Sequence, residues 1–154
     1  MHIDTNRIKF LDTFIDNLTS SEAKLCVDKL IKIPGYHYVV SPNTDIIVKM
    51  HNDSQLKDIC EKADLILTDG QLIVSLSKKY GEAIKERVCM TDFVWDVFDL
   101  AIERNYKVFL FGGKEDVLKK ATQRVRNKLP KLNIVDSYSP PFGFESDSFM
   151  LEEA

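Results

Sequence analysis

An α/β domain with a Rossmann-like, mainly parallel sheet flanked by helices is what this 154-residue sequence predicts. Three observations carry that expectation. Short runs rich in β-branched and aromatic residues alternate with stretches of helical period, the signature of strand–helix–strand units. Strand-like runs end in glycine, proline, asparagine or aspartate. No internal repeat or low-complexity linker interrupts the rhythm, so the chain reads as one domain over 1–154.

The elements follow in order. Ile8 to Ile15 is mixed and reads as one or two short strands. Thr19-Ser20-Ser21-Glu22 has the spacing of a capping box, and Ala23, Cys26, Val27, Leu30 and Ile31 continue it as a helical stripe up to Pro34-Gly35. Tyr36 to Val40 reads as a strand running into Ser41-Pro42-Asn43, with a short helix over Asp45 to His51. Leu56, Ile59, Cys60 and Ala63 mark another helical face, followed by a strand over Leu65 to Leu67 and the turn Thr68-Asp69-Gly70. Leu72 to Leu76 opens a helix that closes near Tyr80-Gly81, and Glu86-Arg87-Val88 has no clear assignment. Asp92 to Asn105 is the clearest helix, with Phe93, Val97, Leu100 and Ala101 on one side and Trp95 and Phe98 also read as core. Lys107 to Phe111 is a strand, Gly112-Gly113 a tight loop, Val117, Ala121 and Val125 a helical stripe, and Leu132 to Val135 a last strand. Asp136 to Phe144 reads as loop, and Ser148 to Ala154 as the opening of a further helix, so the chain is expected to be the N-terminal portion of a longer protein.

Composition narrows the class. Apolar residues are 44% and charged residues 29% of the chain, as in an ordinary globular protein. A net charge of −3 and a pI near 5.6 give no overall attraction to nucleic acid or anionic lipid. No run is long and apolar enough to span a bilayer, and the start MHIDTNRIKF lacks a signal-peptide core. Three scattered cysteines and three scattered histidines make no metal-ligand spacing and fit reduced thiols in the cytoplasm.

In a parallel α/β sheet, ligands bind beyond the carboxyl ends of the strands. Three strand ends here carry Ser41-Pro42-Asn43, Thr68-Asp69-Gly70 and Phe111-Gly112-Gly113, and this fold would set them on one rim. Asp69 is the candidate general base, against the simpler reading of an Asx-turn or a cap for the next helix. Asn43 offers a donor and an acceptor to a sugar, or caps the following helix. Arg87 is a fork for a pyrophosphate or a solvated ion-pair partner. Asp92 sits where a helix N-cap belongs. Gly112-Gly113 lets backbone amides approach a phosphate, but it has neither dinucleotide-fingerprint nor P-loop spacing, and a plain strand-to-helix turn competes with that reading.

Taken in order, these stations resemble the WecG/TagA/CpsF glycosyltransferase family. The matching residues are HYVVSPN (37–43), Ala63-Asp64-Leu65 with Asp69-Gly70, and Glu86-Arg87-Val88 with Asp92. KVFLFGG (107–113), Pro130 to Val135 and Gly143-Phe144 complete the series. The resemblance implies an inverting, metal-independent transferase without cofactor. It would move an N-acetylmannosamine-type sugar from a UDP donor to a polyprenyl-diphosphate-linked N-acetylglucosamine. Such enzymes serve teichoic acid or cell-surface polysaccharide synthesis at the cytoplasmic face of the membrane. It further implies Asp69 as base and Ser41, Asn43, Gly70, Arg87, Asp92, Gly112 and Gly113 at the substrate site. Peripheral membrane contact is expected through a C-terminal part beyond this sequence. Apolar surface left where further strands would pack favours self-association into a homo-oligomer. This sequence departs from the family pattern at Leu72, where a second glycine is usual, at Met90, also usually glycine, and at Thr68, where proline is common. Those changes leave the donor sugar open. A module that binds a nucleotide sugar or a partner without turnover is the alternative, and a phosphate-binding enzyme of another class is a third.

Overall fold

The computed structural model describes residue 3, residues 5–147 and residue 151. It comprises two compact units, 1–97 and 98–154. The helix expected to open at Ser148 falls, apart from Leu151, outside the described residues.

The first unit begins with an antiparallel hairpin, β1 (Arg7–Phe10) and β2 (Thr13–Asp16), in which Ile8 faces Ile15 and Phe10 faces Thr13. The mixed opening segment is therefore two strands. Ile8, Phe10 and Ile15 are buried in one cluster with Ile73, Val74 and Ile84. Helix α1 (Ser20–Lys32) starts as its capping box predicts: Thr19 Oγ1 accepts from the Glu22 amide and Glu22 accepts from the Thr19 amide. Its inward stripe, Ala23, Cys26 and Leu30, joins a second cluster with Leu65, Leu67, Val88 and Phe93.

Strands β3 (Val39–Val40) and β4 (Leu65–Ile66) pair in parallel, Val39 with Leu65 and Val40 with Ile66. Helices α2 (Thr44–Asn52) and α3 (Ser54–Glu61) form the crossover, and α4 (Gln71–Tyr80) follows β4. Helix α5 (Met90–Arg104) starts two residues before the predicted Asp92. The predicted strand over Tyr36 to Val40 contracts to its last two residues. Tyr36 is fully exposed, and the Tyr38 amide donates to the Asp64 carboxylate at 3.0 Å. A side chain thus occupies the amide that a longer strand would offer to its neighbour.

The second unit carries β5 (Val108–Phe111), α6 (Glu115–Lys128) and β6 (Ile134–Tyr138), with β5 and β6 parallel and irregular between Val108 and Phe109. Two expectations shift here. Strand β6 extends through Tyr138, into residues read as loop, because Phe109, Leu110 and Phe111 find partners at Asp136, Ser137 and Tyr138. The inner face of α6 holds the buried Thr122 and the half-buried Leu118 and Val125, whereas Val117 and Ala121 are exposed. A threonine on the inner face broke the apolar stripe that sequence reading follows.

The α/β arrangement with parallel strand pairs is that of a partial Rossmann-like fold, its strands lying, among the described residues, in three two-stranded ladders, β1–β2, β3–β4 and β5–β6. The outer edge of β4 shows why β2 and β4 share no ladder. The Ile66 amide donates to Asp16 Oδ2 at 2.7 Å, so a carboxylate at the end of β2 closes that edge. Arg7 holds the same carboxylate in a fork, Nε to Oδ1 at 2.8 Å and Nη2 to Oδ2 at 2.9 Å, with the Asp16 side chain fully buried. Arg7→Ala would leave that charge buried without its partner, a loss expected to cost roughly 3–5 kcal/mol. Urea unfolding measures it, and a loss below about 1 kcal/mol would show that the pair does not hold the edge.

Candidate active site

The parallel register of β3 and β4 sends Ser41-Pro42-Asn43 and Leu67-Thr68-Asp69 off the same edge of one ladder. The Leu67 amide still donates to the Val40 carbonyl at 2.8 Å, so the two strands stay paired up to that rim. Leu65 and Leu67 are fully buried in the α1 core, which fixes the direction in which the chain arrives at Asp69. Two of the three predicted strand ends therefore share one rim. The third, Phe111-Gly112-Gly113, lies in the second unit.

The side chains at this rim separate the readings left open by sequence. Asn43 is the N-cap of α2, its Oδ1 accepting from the Ile46 amide at 3.0 Å. Asp69 caps nothing: the N-cap of α4 is Gly70, with no side-chain cap bond, and the half-buried Asp69 carboxylate has no hydrogen bond or ion pair among the described residues. At the same two strand ends, Thr68 Oγ1 and Ser41 Oγ are buried and lack a hydrogen-bond partner among the described residues. A buried hydroxyl left unpaired costs about 1–3 kcal/mol. Gly70 has ordinary extended backbone, and its missing side chain has a packing reason, since a Cβ there would meet Ile73 Cδ1 at 3.0 Å. Leu72, in place of a second glycine, is exposed on the first turn of α4.

Arg87 follows a firmly held segment. Ile84 and Val88 are both buried, each in one of the two clusters of the first unit. The Arg87 guanidinium is exposed and makes no ion pair with the described residues, so the solvated-pair reading does not hold. Asp92 is not the N-cap it resembles. The Asp92 and Phe93 amides both donate to the Cys89 carbonyl, so the helix opens at Met90 and Asp92 is its third residue. There its charge still faces the positive end of the helix.

Sequence reading missed the pair that anchors the entry to both strands. His37 Nδ1 lies 2.9 Å from Asp64 Oδ1, and the other ring nitrogen lies 3.2 Å from the Ile33 carbonyl. Burial opposes the charge on Asp64, but hydrogen bonds from His37 and the Tyr38 amide prevail and hold its carboxyl below the ordinary aspartate range. Only proximity in the fold reveals it, because 27 residues separate the two partners.

In the second unit Gly112 and Gly113 have φ of 98° and 76°, which disfavours any side chain there. The turn reading of this dipeptide is therefore met. The same two glycines also line a groove of about 550 Å³ with Lys114, Pro141, Phe142 and Phe144. Ser139 Oγ donates to the Gly113 carbonyl at 2.6 Å and ties the turn to the groove's other wall. Among the described residues no group of three or more His, Cys, Asp or Glu is placed to hold a metal ion. No helix among them is long and apolar enough to cross a membrane.

The family model described as the glycosyl transferase WecG/TagA/CpsF family matches residues 8–154. Two curated relatives bear the name N-acetylglucosaminyldiphosphoundecaprenol N-acetyl-beta-D-mannosaminyltransferase. The one from Bacillus spizizenii is 26% identical over 132 residues, covering 86% of this chain and 51% of the relative. The one from Bacillus subtilis is 24% identical over 92 residues, covering 60% of this chain and 36% of the relative. The chain thus spans about half the length, or less, of the curated relatives it matches.

The contrast between the two rim residues is measurable. Asn43→Ala removes a cap and is expected to cost about 1 kcal/mol, whereas Asp69→Asn is expected to stay within about 0.5 kcal/mol of the parent. Equal losses in denaturant titrations would mean that Asp69 has a structural partner. Asp64 gives a pH test. Its folded pKa lies below its unfolded one, so its stabilisation is complete above the unfolded value and lost as pH falls through the folded value. Asp64→Asn should therefore lower thermal stability at neutral pH and flatten its decline on acidification; an unchanged acid limb contradicts the assignment.

Proposed function

The chain belongs to the WecG/TagA/CpsF glycosyltransferase family, and from that premise we propose that it serves an inverting transfer from a UDP-sugar. The sugar is of N-acetylmannosamine type and the acceptor is N-acetylglucosamine on a polyprenyl diphosphate. The names of the two relatives support the sugar and the acceptor. The observation that carries the reading is the Asp69 carboxylate, without a partner among the described residues, at a strand-end rim that also carries two unpartnered hydroxyls.

The chemistry follows from these groups. An acceptor hydroxyl must lose its proton as it attacks the anomeric carbon, on the face opposite the leaving diphosphate. Asp69, without a partner among the described residues, takes that proton. Ser41 Oγ, and the Asn43 amide nitrogen left over from capping, meet polar groups of the sugars. Gly70 keeps the backbone open behind Asp69, and Asp92 offers a further acceptor from the first turn of α5. Negative charge grows on the diphosphate as it leaves, and fixed donors lower that barrier. In the first unit Arg87 is assigned that task; in the second, the amides of Gly112 and Gly113, with their aromatic-walled groove, are assigned to a nucleotide phosphate. The reading includes no metal ion or cofactor, and it sets the work at the inner face of the plasma membrane, in cell-surface polysaccharide or teichoic acid synthesis.

Radiolabel transfer from candidate UDP-sugars to a lipid-diphosphate N-acetylglucosamine acceptor tests the proposal. Asp69→Asn is expected to lower kcat by about 10²-fold or more, with the fold retained by circular dichroism. Turnover like that of the parent would remove Asp69 from the mechanism. Saturable UDP-sugar binding without any transfer would mark a binding module instead.

A further inference from the structure

Asp16 and Asn17 are consecutive residues at the end of β2, yet they grip two different segments. Asp16 accepts from the amide of Ile66, three residues before Asp69. Asn17 is 5% exposed and reaches the loop that precedes Arg87: its Nδ2 donates to the Ala83 carbonyl at 3.1 Å, and its Oδ1 accepts from the Lys85 amide at 2.8 Å. A primary amide carries the same donor and acceptor as a peptide group. Bound to the carbonyl of residue 83 and the amide of residue 85, it supplies the donor and acceptor that a neighbouring strand would otherwise offer. The segment has no other regular structure to hold it, since residues 83–88 belong to no helix or strand.

We propose that Asn17 is the positioning residue for Arg87, and that the Asp16–Asn17 pair thereby sets guanidinium and carboxylate in one frame. The proposal rests on the transfer reading for its functional consequence. Arg87 has no side-chain partner among the described residues, so the region its guanidinium can reach is set by where its backbone is held. That backbone is pinned upstream by Asn17, flanked by the buried Ile84 and Val88, and tethered at Glu86, whose carboxylate accepts from the Ser20 amide at 3.2 Å. Lys85 adds an ion pair to Glu22 at 2.9 Å, but both partners are exposed and screened. Ser77 Oγ accepts from the Ile84 amide at 2.9 Å, a single bond, whereas the Asn17 side chain grips the segment's backbone at two points.

The test uses the full chain with Asn17→Ala, Arg87→Ala and the double variant, assayed for sugar transfer, with amide hydrogen exchange recorded for each. A residue that acts through Arg87 loses its effect once Arg87 is gone. Asn17→Ala is expected to lower kcat/KM by about tenfold or more in the parent and by less than about twofold in the Arg87→Ala background. Lys85 amide exchange should accelerate by at least about tenfold while exchange in the α1 core is unchanged. Multiplicative losses would show a general structural role and overturn the proposal. Equal Lys85 exchange in the parent and in Asn17→Ala would overturn it without any enzymatic readout, which also decides the case if Asn17→Ala folds poorly. Arg87→Ala with undiminished transfer, alongside faster Lys85 exchange in Asn17→Ala, would instead remove Arg87 from the transfer reading and leave the restraint standing.

Discussion

The buried carboxylate of Asp16 is the constraint on which the first unit turns. It receives Thr5 Oγ1, both arms of Arg7 and the Ile66 amide, so its two oxygens serve three residues from two segments at once. Arg7 spends its remaining reach on the carbonyls of Ala63 and Asp64, at 3.1 and 3.3 Å. Strand β4 is only two residues long, and its ladder with β3 is correspondingly brief. Backbone pairing of that length specifies register weakly, and a slip of one residue would exchange the Leu65–Leu67 face for its opposite. Charged hydrogen bonds at fixed atoms resist such a slip. Desolvating an ion pair is costly, and its return here is geometric: β4 can arrive at Asp69 in one way.

Much of this was legible because it is local. The capping box of α1, the glycine turn after β5 and the helix after Asp69-Gly70 each depend on residues within four positions of one another, and each stands as read. What sequence could not supply was decided at a distance. Tyr36 to Val40 has the composition of a strand, but Asp64, 26 residues on, takes the Tyr38 amide and shortens it. Asp16 and Asn17 drew no reading from sequence. Nothing local marks Ile66 or Lys85, 50 and 68 residues away, as the partners of those side chains. The inner face of α6 was misassigned because one buried threonine sits where an apolar residue would have announced it.

The candidate site shows the same division. Residue type and position left Asn43 between a cap and a sugar contact, and Asp69 between a general base and an Asx-turn or cap. The structure separates them by where a single oxygen points. Asn43 Oδ1 serves the Ile46 amide, while the residue that would need capping after Asp69 begins a helix whose N-cap is a glycine. A helix-capping aspartate has its charge committed; this one does not.

An unpartnered hydroxyl alone would not mark the rim, since Thr13 and Thr122 are equally buried and equally without partners. Thr13 lies in β2 and Thr122 on α6, and each stands without an unused charge next to it in sequence. At the carboxyl edge of β3 and β4 the features coincide: Ser41 and Thr68 lack partners, and the residue after Thr68 is an uncommitted carboxylate. Unpaired polarity is costly wherever it is buried. What sets the β3–β4 edge apart is that two unpaired hydroxyls and an uncommitted acid share one strand-end rim, the place where α/β folds take their ligands.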